Sequence, residues 1–477
     1  MTCKHARVIV ARIRQPFNKV SARIASQPWT LRSLLAVIAI FVFCNALFAA
    51  TPDVYQKRWN DKAVNDRIQA NIEKYRKGEA TIDVVDNAGK PVPDVLIELQ
   101  QTRHAFLFGC NAFVLGQLKT PEANRQYEEA FAQLFNFVTV PLYWEGTEPS
   151  RGELRYEEGG RDIYRRPPPD RFFAFGEKYG ITLKGHPLLW HSCNPDWLPK
   201  DPNELRELYR KRFREISERY GKKISIWDAV NESLVCDPKY PLLTPDRAYV
   251  AWAFREIAPL FPAKTTLLIN EVNMASFGTA ENSSYFAQVK SLLANDVPVR
   301  GIGFQFHYFR RAELDKHLVS PDCDPIKLLD LYEAFGEFKL PLYVTEITIP
   351  SAGPDGEALQ AEVTRNYYRL WFSVPMMQGI TWWNLGDNTA VEGENEAQGG
   401  LANDAMQPKA AYRELDDLIN HEWKTTATIH SDAEGHAQFK GFFGKYQVKL
   451  IRGDKVQTVE LDHTQSGDKN HRLTLTN

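Results

Sequence analysis

From residue 106 onward, short apolar runs alternate with longer segments whose apolar residues recur at helical spacing, a βα rhythm that predicts a parallel sheet. The runs fall at 106–109, 135–140, 182–188, 224–230, 266–270, 302–307, 342–345 and 380–384, with helical segments between them, as at 202–220 and 359–372. Such a series over about 310 residues fits a closed (β/α)8 barrel with loop insertions better than an open sheet. Ahead of it, 61–77 reads as a charged amphipathic helix, and ATIDVVDNAGKPVPDVLIELQQ (80–101) as two strands around an Asn-Ala-Gly turn, a hairpin-like unit. Behind it, TTATIHSD, HAQFKGFFGKYQVKLI and VQTVELDH alternate apolar and polar residues between Gly and Asp turns. That predicts a small antiparallel β unit, open to carbohydrate binding but read first as a structural appendage packed on the barrel, because no aromatic stripe stands clear of its core pattern. The fold class is therefore α/β: a TIM barrel over 104–423, a helix and β-hairpin extension over 51–103, and a C-terminal β unit over 424–477.

The leader is patterned differently. Residues 1–32 carry many Lys and Arg and no Asp or Glu, and Leu34 to Phe43 are all apolar. This is the pattern of a signal peptide or signal anchor over 1–50, which places the body outside the cytoplasm whether the segment is cut or kept. A membrane partner follows only if it is kept.

Composition narrows the rest. With 43% hydrophobic and 25% charged residues in 477, the chain is an ordinary globular one, and a net charge of −2 gives no electrostatic reason for a nucleic-acid partner. The body's Cys110, Cys193, Cys236 and Cys323 show no CxxC spacing, so no metal site is suggested, and both a disulfide and buried free thiols stay open. No cofactor is implied, and a monomer is expected.

Active sites of such barrels gather at the carboxyl ends of the strands. There the sequence places His186, Trp190 and His191 after strand three, Asn231 and Glu232 after strand four, and Gln305 and His307 after strand six. Glu346 follows on strand seven, and Trp382, Trp383 and Asp387 on strand eight. One Glu after a strand is usually a loop residue. Two, ringed by amides, imidazoles and indoles, describe a sugar site: retaining glycosidic cleavage needs one carboxylic acid to protonate the leaving oxygen and one carboxylate to attack the anomeric carbon, about 5–5.5 Å apart. Their environments must hold their pKa values apart. Asn231 is placed to bond a sugar 2-hydroxyl, Gln305 and His307 to orient Glu346, and Trp383 to stack on a sugar ring.

The motifs FNFVT, KGHPLLWHSCNPDWL, IWDAVNES, LLINEVN, GIGFQFHY, LYVTEITIP, GITWWNLGD and GGLANDAMQPKAAYREL occur in the order and spacing of glycoside hydrolase family 10, which the span from His104 to Leu415 resembles. The resemblance implies an endo-1,4-β-xylanase acting on xylan by double displacement, with Glu232 as acid/base and Glu346 as nucleophile. It also implies that His186, Trp190, Asn231, Gln305, His307 and Trp383 line the subsite beside the cleaved bond.

Three departures stand out. VPLYWEG (140–146) replaces the family's ENxxKW segment, so the Glu, Asn and Lys that usually hold the distal sugar are missing. Thr348 stands where the family often has an Asp bonding the strand-six histidine. The second tryptophan expected past Asp387 is absent from NTAVEGENEA. Two rival readings follow: another retaining β-glycosidase, such as a β-glucanase or an enzyme of short oligosaccharides, and a non-catalytic carbohydrate-binding protein. The retention of both glutamates speaks against the second.

Overall fold

The computed structural model describes residues 51–235, 240, 242–272 and 279–476. The leader and Cys236 lie outside the described residues. Among the described residues, no helix is long and apolar enough to cross a membrane.

Eight strands close a parallel barrel: β3 (Leu107–Asn111), β4 (Phe137–Pro141), β5 (Thr182–His186), β7 (Ile226–Asn231), β8 (Thr266–Glu271), β9 (Gly301–His307), β10 (Leu342–Thr348) and β11 (Met377–Trp382). A short β6 (Leu189–Trp190) continues β5 alongside β7. The strands are almost wholly buried because helices cover the outside and side chains fill the inside, which is why they read as unbroken apolar runs. Phe137 and Tyr343, on strands that are not neighbours, come within 6.5 Å inside the barrel and pack with Ile226 and Leu268. The helices follow local signals. Pro202–Tyr220 starts at the Asp201 cap with Pro202 in its first turn, and buries Leu205, Tyr209, Phe213, Ile216 and Tyr220 along one face.

The seam between β5 and β7 is narrow, with only Lys184↔Ile226 and Gly185↔Trp227 in register before β6 takes over. A Cβ on Gly185 would lie 2.2 Å from the Trp227 ring, so the strands approach this closely only with glycine there. Above it, Lys184 and Asp228, both with fully buried side chains, pair at 2.6 Å.

The N-terminal strands depart from the expected hairpin. The turn forms, with Asp86 N donating to the Lys90 carbonyl (2.8 Å) and Val92 N to that of Val84 (2.9 Å). The pairing then ends, because Pro91 and Pro93 offer no N–H and Asp94 turns with φ 56. β1 (Lys77–Val85) joins a sheet with β13 (His436–Phe442) and β16 (Asn470–Thr474), the latter in parallel. β2 (Leu96–His104) joins a second sheet with β12 (Thr426–His430), β14 (Gly444–Arg452) and β15 (Lys455–His463). Ile82, Val84, Ile97, Leu99, Phe439, Val448 and Leu450 pack between the two sheets. The two ends of the body thus build one sandwich. Cys110, Cys193 and Cys323 are free thiols. Replacing Gly185 by Ala should lower stability by about 1–3 kcal/mol through overpacking; an unchanged midpoint in chemical denaturation would contradict the close β5–β7 contact.

Candidate active site

All the residues singled out at strand ends lie at the carboxyl rim of the barrel, and two glutamates share one amide. Gln305 Nε2, on β9, donates to Glu232 Oε1 (2.9 Å) and to Glu346 Oε1 (3.1 Å). Those oxygens therefore lie no further apart than the two bonds together, about 6 Å, an upper limit that admits the about 5–5.5 Å of a direct-displacement pair.

Glu232 follows β7 in the left-handed region, φ 55, a position non-glycine residues seldom hold. Its amide donates to the Asn270 carbonyl (2.7 Å), and the next turn is capped by Glu271, which accepts from Ser233 N (2.7 Å) and Ser233 Oγ (2.5 Å). The carboxylate also accepts from Trp190 Nε1 at 2.9 Å, so this indole holds Glu232 as well as edging the site.

Glu346 accepts from Gln305, from Asn270 Nδ2 (3.0 Å) and, across 3.2 Å, from His307 Nε2. Asn270 also donates to Asn231 Oδ1 (2.7 Å) and receives the Thr345 hydroxyl on Oδ1 (2.6 Å). The Asn231 Nδ2 group, buried, has no protein partner. His307 bonds Thr348 Oγ1 through Nδ1 at 2.9 Å, so the substituted position keeps the contact but as a hydroxyl. Burial pushes the His307 imidazole down to about 4. Neutral, with Nε2–H directed to Glu346, its Nδ1 takes the proton of Thr348.

Behind these, His186 Nδ1 meets Asp228 Oδ2 at 2.6 Å and its Nε2 meets the Tyr143 hydroxyl at 3.2 Å. Burial works against the charge of Asp228, yet Lys184 and His186 outweigh it and hold the carboxyl below its usual range. His186, Asp228 and Glu346 offer ligand atoms within 4.8 Å of one another, but the Lys184 ammonium already stands on Asp228 as its cation. Trp383, with 5% of its surface exposed, meets Phe113, His186 and His307 edge-on at 5.2, 5.6 and 5.7 Å and forms a wall. Asp387 turns aside into an ion pair with Lys409 (3.1 Å) that fixes the loop after β11.

Burial raises both glutamates. Glu346 is pushed up to about 7, with His186 and Lys184 acting in the other direction. Glu232 is raised by burial and then by the neighbouring charge of Glu346. Each charge disfavours the other, so the two carboxyls lose their protons in separate steps. Three donors and the Lys184 charge on the side of Glu346 favour it as the first to ionise.

The sequence reading did not single out Asn270, Lys184, Asp228 or Tyr143. Each lies inside a quoted motif, but a buried polar contact between strands leaves no mark on local spacing. Replacing Lys184 by Met leaves Asp228 buried without its cation, and should cost about 3–5 kcal/mol of stability, largely recovered when Asp228 becomes Leu as well. Equal denaturation midpoints for the single variant and the unaltered protein would contradict this account of the pair.

Comparison with known proteins bears on the family and the fold. The model of glycosyl hydrolase family 10 matches residues 99–418. Anti-sigma-I factor RsgI6 of Acetivibrio thermocellus is 27% identical over 399 residues, 82% of this chain and 47% of that protein. Endo-1,4-beta-xylanase 5-like of Arabidopsis thaliana is 28% identical over 327 residues, covering 65% of this chain and 50% of that protein. This chain thus spans about half the length of these two curated relatives. Xylanase 10B from Thermotoga petrophila RKU-1, solved with xylobiose, superposes with a TM-score of 0.55 at 22% identity, over 67% of this chain and 95% of that one, a likeness of fold. With the family model covering 99–418 of its 477 residues, the chain belongs to glycosyl hydrolase family 10.

Proposed function

We propose that this protein is a retaining glycoside hydrolase that cleaves β-1,4 bonds of xylan-type chains, with Glu346 as nucleophile and Glu232 as acid/base. The observation that carries the reading is the single Gln305 amide bonded to both carboxylates. Glu346 attacks the anomeric carbon while the Glu232 carboxyl gives its proton to the departing glycosidic oxygen, leaving a glycosyl ester on Glu346. Glu232, now a carboxylate, takes a proton from water as that water attacks the same carbon. The ester breaks, the sugar leaves with its configuration kept, and Glu232 is protonated again. The buried Asn231 Nδ2 supports a bond to the 2-hydroxyl of the attacked ring, and the names of the xylanase relatives support xylan as substrate.

The basic and then apolar pattern of 1–50 supports export of the body, as a secreted or membrane-anchored enzyme working on polysaccharide outside the cytoplasm. Amino-terminal sequencing of the mature protein tests it: a start near residue 50, or an intact leader in the membrane fraction, fits export, and a soluble cytoplasmic chain with its leader intact does not.

Removing the nucleophile should lower kcat on every substrate by a factor on the order of 10⁴ or more, because the covalent route is lost. Glu232→Ala should lose about 10²–10⁴-fold on xylan but much less on an aryl β-xyloside whose phenolate leaves without protonation. Full activity in Glu346→Ala, or equal losses on both substrates in Glu232→Ala, would refute the roles.

The pH profile follows from the raised carboxyls. As pH falls, Glu346 takes up a proton and the nucleophile is lost; as pH rises, Glu232 loses the proton it must donate. Both limbs of kcat/KM should therefore lie above the ordinary carboxylate value of about 4.3, with the acid limb drawn toward the value of about 7 given to Glu346 by its burial. The alkaline limb should vanish in Glu232→Gln on the aryl glycoside. A profile centred below about pH 5 would contradict the burial argument.

A further inference from the structure

The segment 148–170, between the helices Trp144–Thr147 and Arg171–Tyr179, takes no part in the cleavage chemistry, yet it is firmly built. The buried Arg155 guanidinium donates to the carbonyls of Arg161 (2.5 Å), Gly146 (2.6 Å) and Arg166 (2.8 Å), pinning both limbs of the segment to the chain just past β4. Glu148 fixes its start by accepting from Gly152 N (2.8 Å) and Trp144 Nε1 (2.9 Å). Pro167, Pro168 and Pro169, all buried, stiffen its return.

From that base the tip crosses the barrel rim. Gln117, in the loop after β3, donates to Asp162 Oδ1 (2.8 Å) and the Ile163 carbonyl (2.9 Å) and accepts from Arg165 N (2.9 Å). The Tyr164 hydroxyl then reaches the carbonyl of Ala390 (3.3 Å), and Arg165 donates to Asn384 Oδ1 (2.7 Å) and to the Thr389 carbonyl, all beyond β11. Arg165 sits at φ 61, a conformation that non-glycine residues seldom adopt and that these bonds hold. Since β4, β3 and β11 are consecutive in the barrel, the segment is a strap over one arc of the rim.

Beneath the strap lies the aromatic wall of the site. The Arg166 guanidinium covers the Tyr143 ring at 4.0 Å, its stem filling the space where a Cβ on Gly146 would come within 2.8 Å, and Arg165 lies over Phe113 at 5.2 Å. Tyr143 and Phe113 in turn back His186 and Trp383. Glu232, the proton donor, marks the leaving-group side of the cleaved bond. With the ring under attack placed at Glu346 on β10, the strap's anchorage beyond β11, the strand next to β10 and remote from β7, puts it on the side away from Glu232, the glycone side.

We infer that Tyr164, Arg165 and Arg166 close the glycone end of the cleft, so that the protein takes the non-reducing end of a β-1,4-linked chain, or a short oligosaccharide, and releases a short product of one length. The inference rests on the retaining-hydrolase reading and deepens it. A chain cut in its interior must continue past the attacked ring. Here the face of Tyr143 is already covered by a guanidinium, and the loops after β4 and β11 are tied together across the way.

The test uses the full chain on xylan, on xylohexaose labelled at its reducing end, and on an aryl β-xyloside. From the earliest time points the labelled hexaose should shorten by one fixed increment, while xylan yields a single short sugar with little fall in viscosity. The double variant Tyr164→Ala/Arg165→Ala should release mixed lengths, and its ratio of xylan to aryl-xyloside activity should rise on the order of 10-fold. A ladder of all lengths from the unaltered protein overturns the inference. So does an unchanged single product from the double variant when its aryl-xyloside turnover shows it to be folded. Absence of turnover on every substrate by the unaltered protein would instead remove the hydrolase reading, and the strap inference with it.

Discussion

A carboxylate with no solvent exposure has to find its counter-charge inside the protein, and Asp228 finds it on the strand across the seam. Lys184 and His186, both on β5, converge on the same Asp228 oxygen at 2.6 Å. Without them the buried charge would cost several kcal/mol. Because the ion pair forms only when β5 and β7 stand in one register, it selects the pairing that seats Gly185 against Trp227. The same contact orients the chemistry. With Nδ1 committed to Asp228, His186 turns Nε2 toward Tyr143 and the wall of the site, and the Lys184 charge counters the burial of Glu346. A device that closes the barrel also favours ionisation of one glutamate over the other.

The spacing of the two glutamates rests on neutral groups. An amide donates to two carboxylates without adding charge, so Gln305 holds Glu232 and Glu346 at a fixed distance while leaving their mutual repulsion in force, which a lysine there would quench. Asn270 does the same for Glu346 and Asn231, and its direction is not free: the Thr345 hydroxyl donates to Oδ1, which commits Nδ2 to the two acceptors. Even the neighbouring glycine takes part. A Cβ on Gly303 would lie 2.4 Å from Asn270 Oδ1, so β9 passes this amide only without a side chain.

What the sequence reveals and what it hides divide along local and non-local lines. The barrel strands are legible because each is an apolar run flanked by polar helices, and the helix Pro202–Tyr220 matches its expected bounds because Asp201 and Pro202 mark its start. Glu232 and Glu346 are legible as charges placed abruptly at the ends of such runs. The fate of β1 and β2 is not, since their partners lie more than three hundred residues away and only the turn at Asn87 to Gly89 is encoded nearby. Lys184 and Asp228 each look like a polar interruption in a strand. Only their meeting, forty-four residues apart in the chain, gives them meaning. Tyr164, Arg165 and Arg166 read as an ordinary polar loop, because nothing local shows that the loop reaches across β3 to the far side of β11.

The three departures from the family pattern make physical sense together. Thr348 in place of an acid puts a neutral hydroxyl on His307 Nδ1, and burial keeps its ring neutral, so the imidazole adds no positive charge beside Glu346. The segment 140–146 lacks the lysine that the resemblance leads one to expect near the distal sugar. Yet cationic charge is not absent there: Arg166 arrives from a different loop and lies on Tyr143 of that very segment, with Glu145 at 3.2 Å. Where the expected tryptophan is missing after β11, the backbone at Thr389 and Ala390 serves as the anchorage for Arg165 and Tyr164. Two of the positions that depart from the family pattern, the segment 140–146 and the loop after β11, are thus both held by one continuous strap, the arrangement to be expected of a cleft that exchanges length for closure at one end.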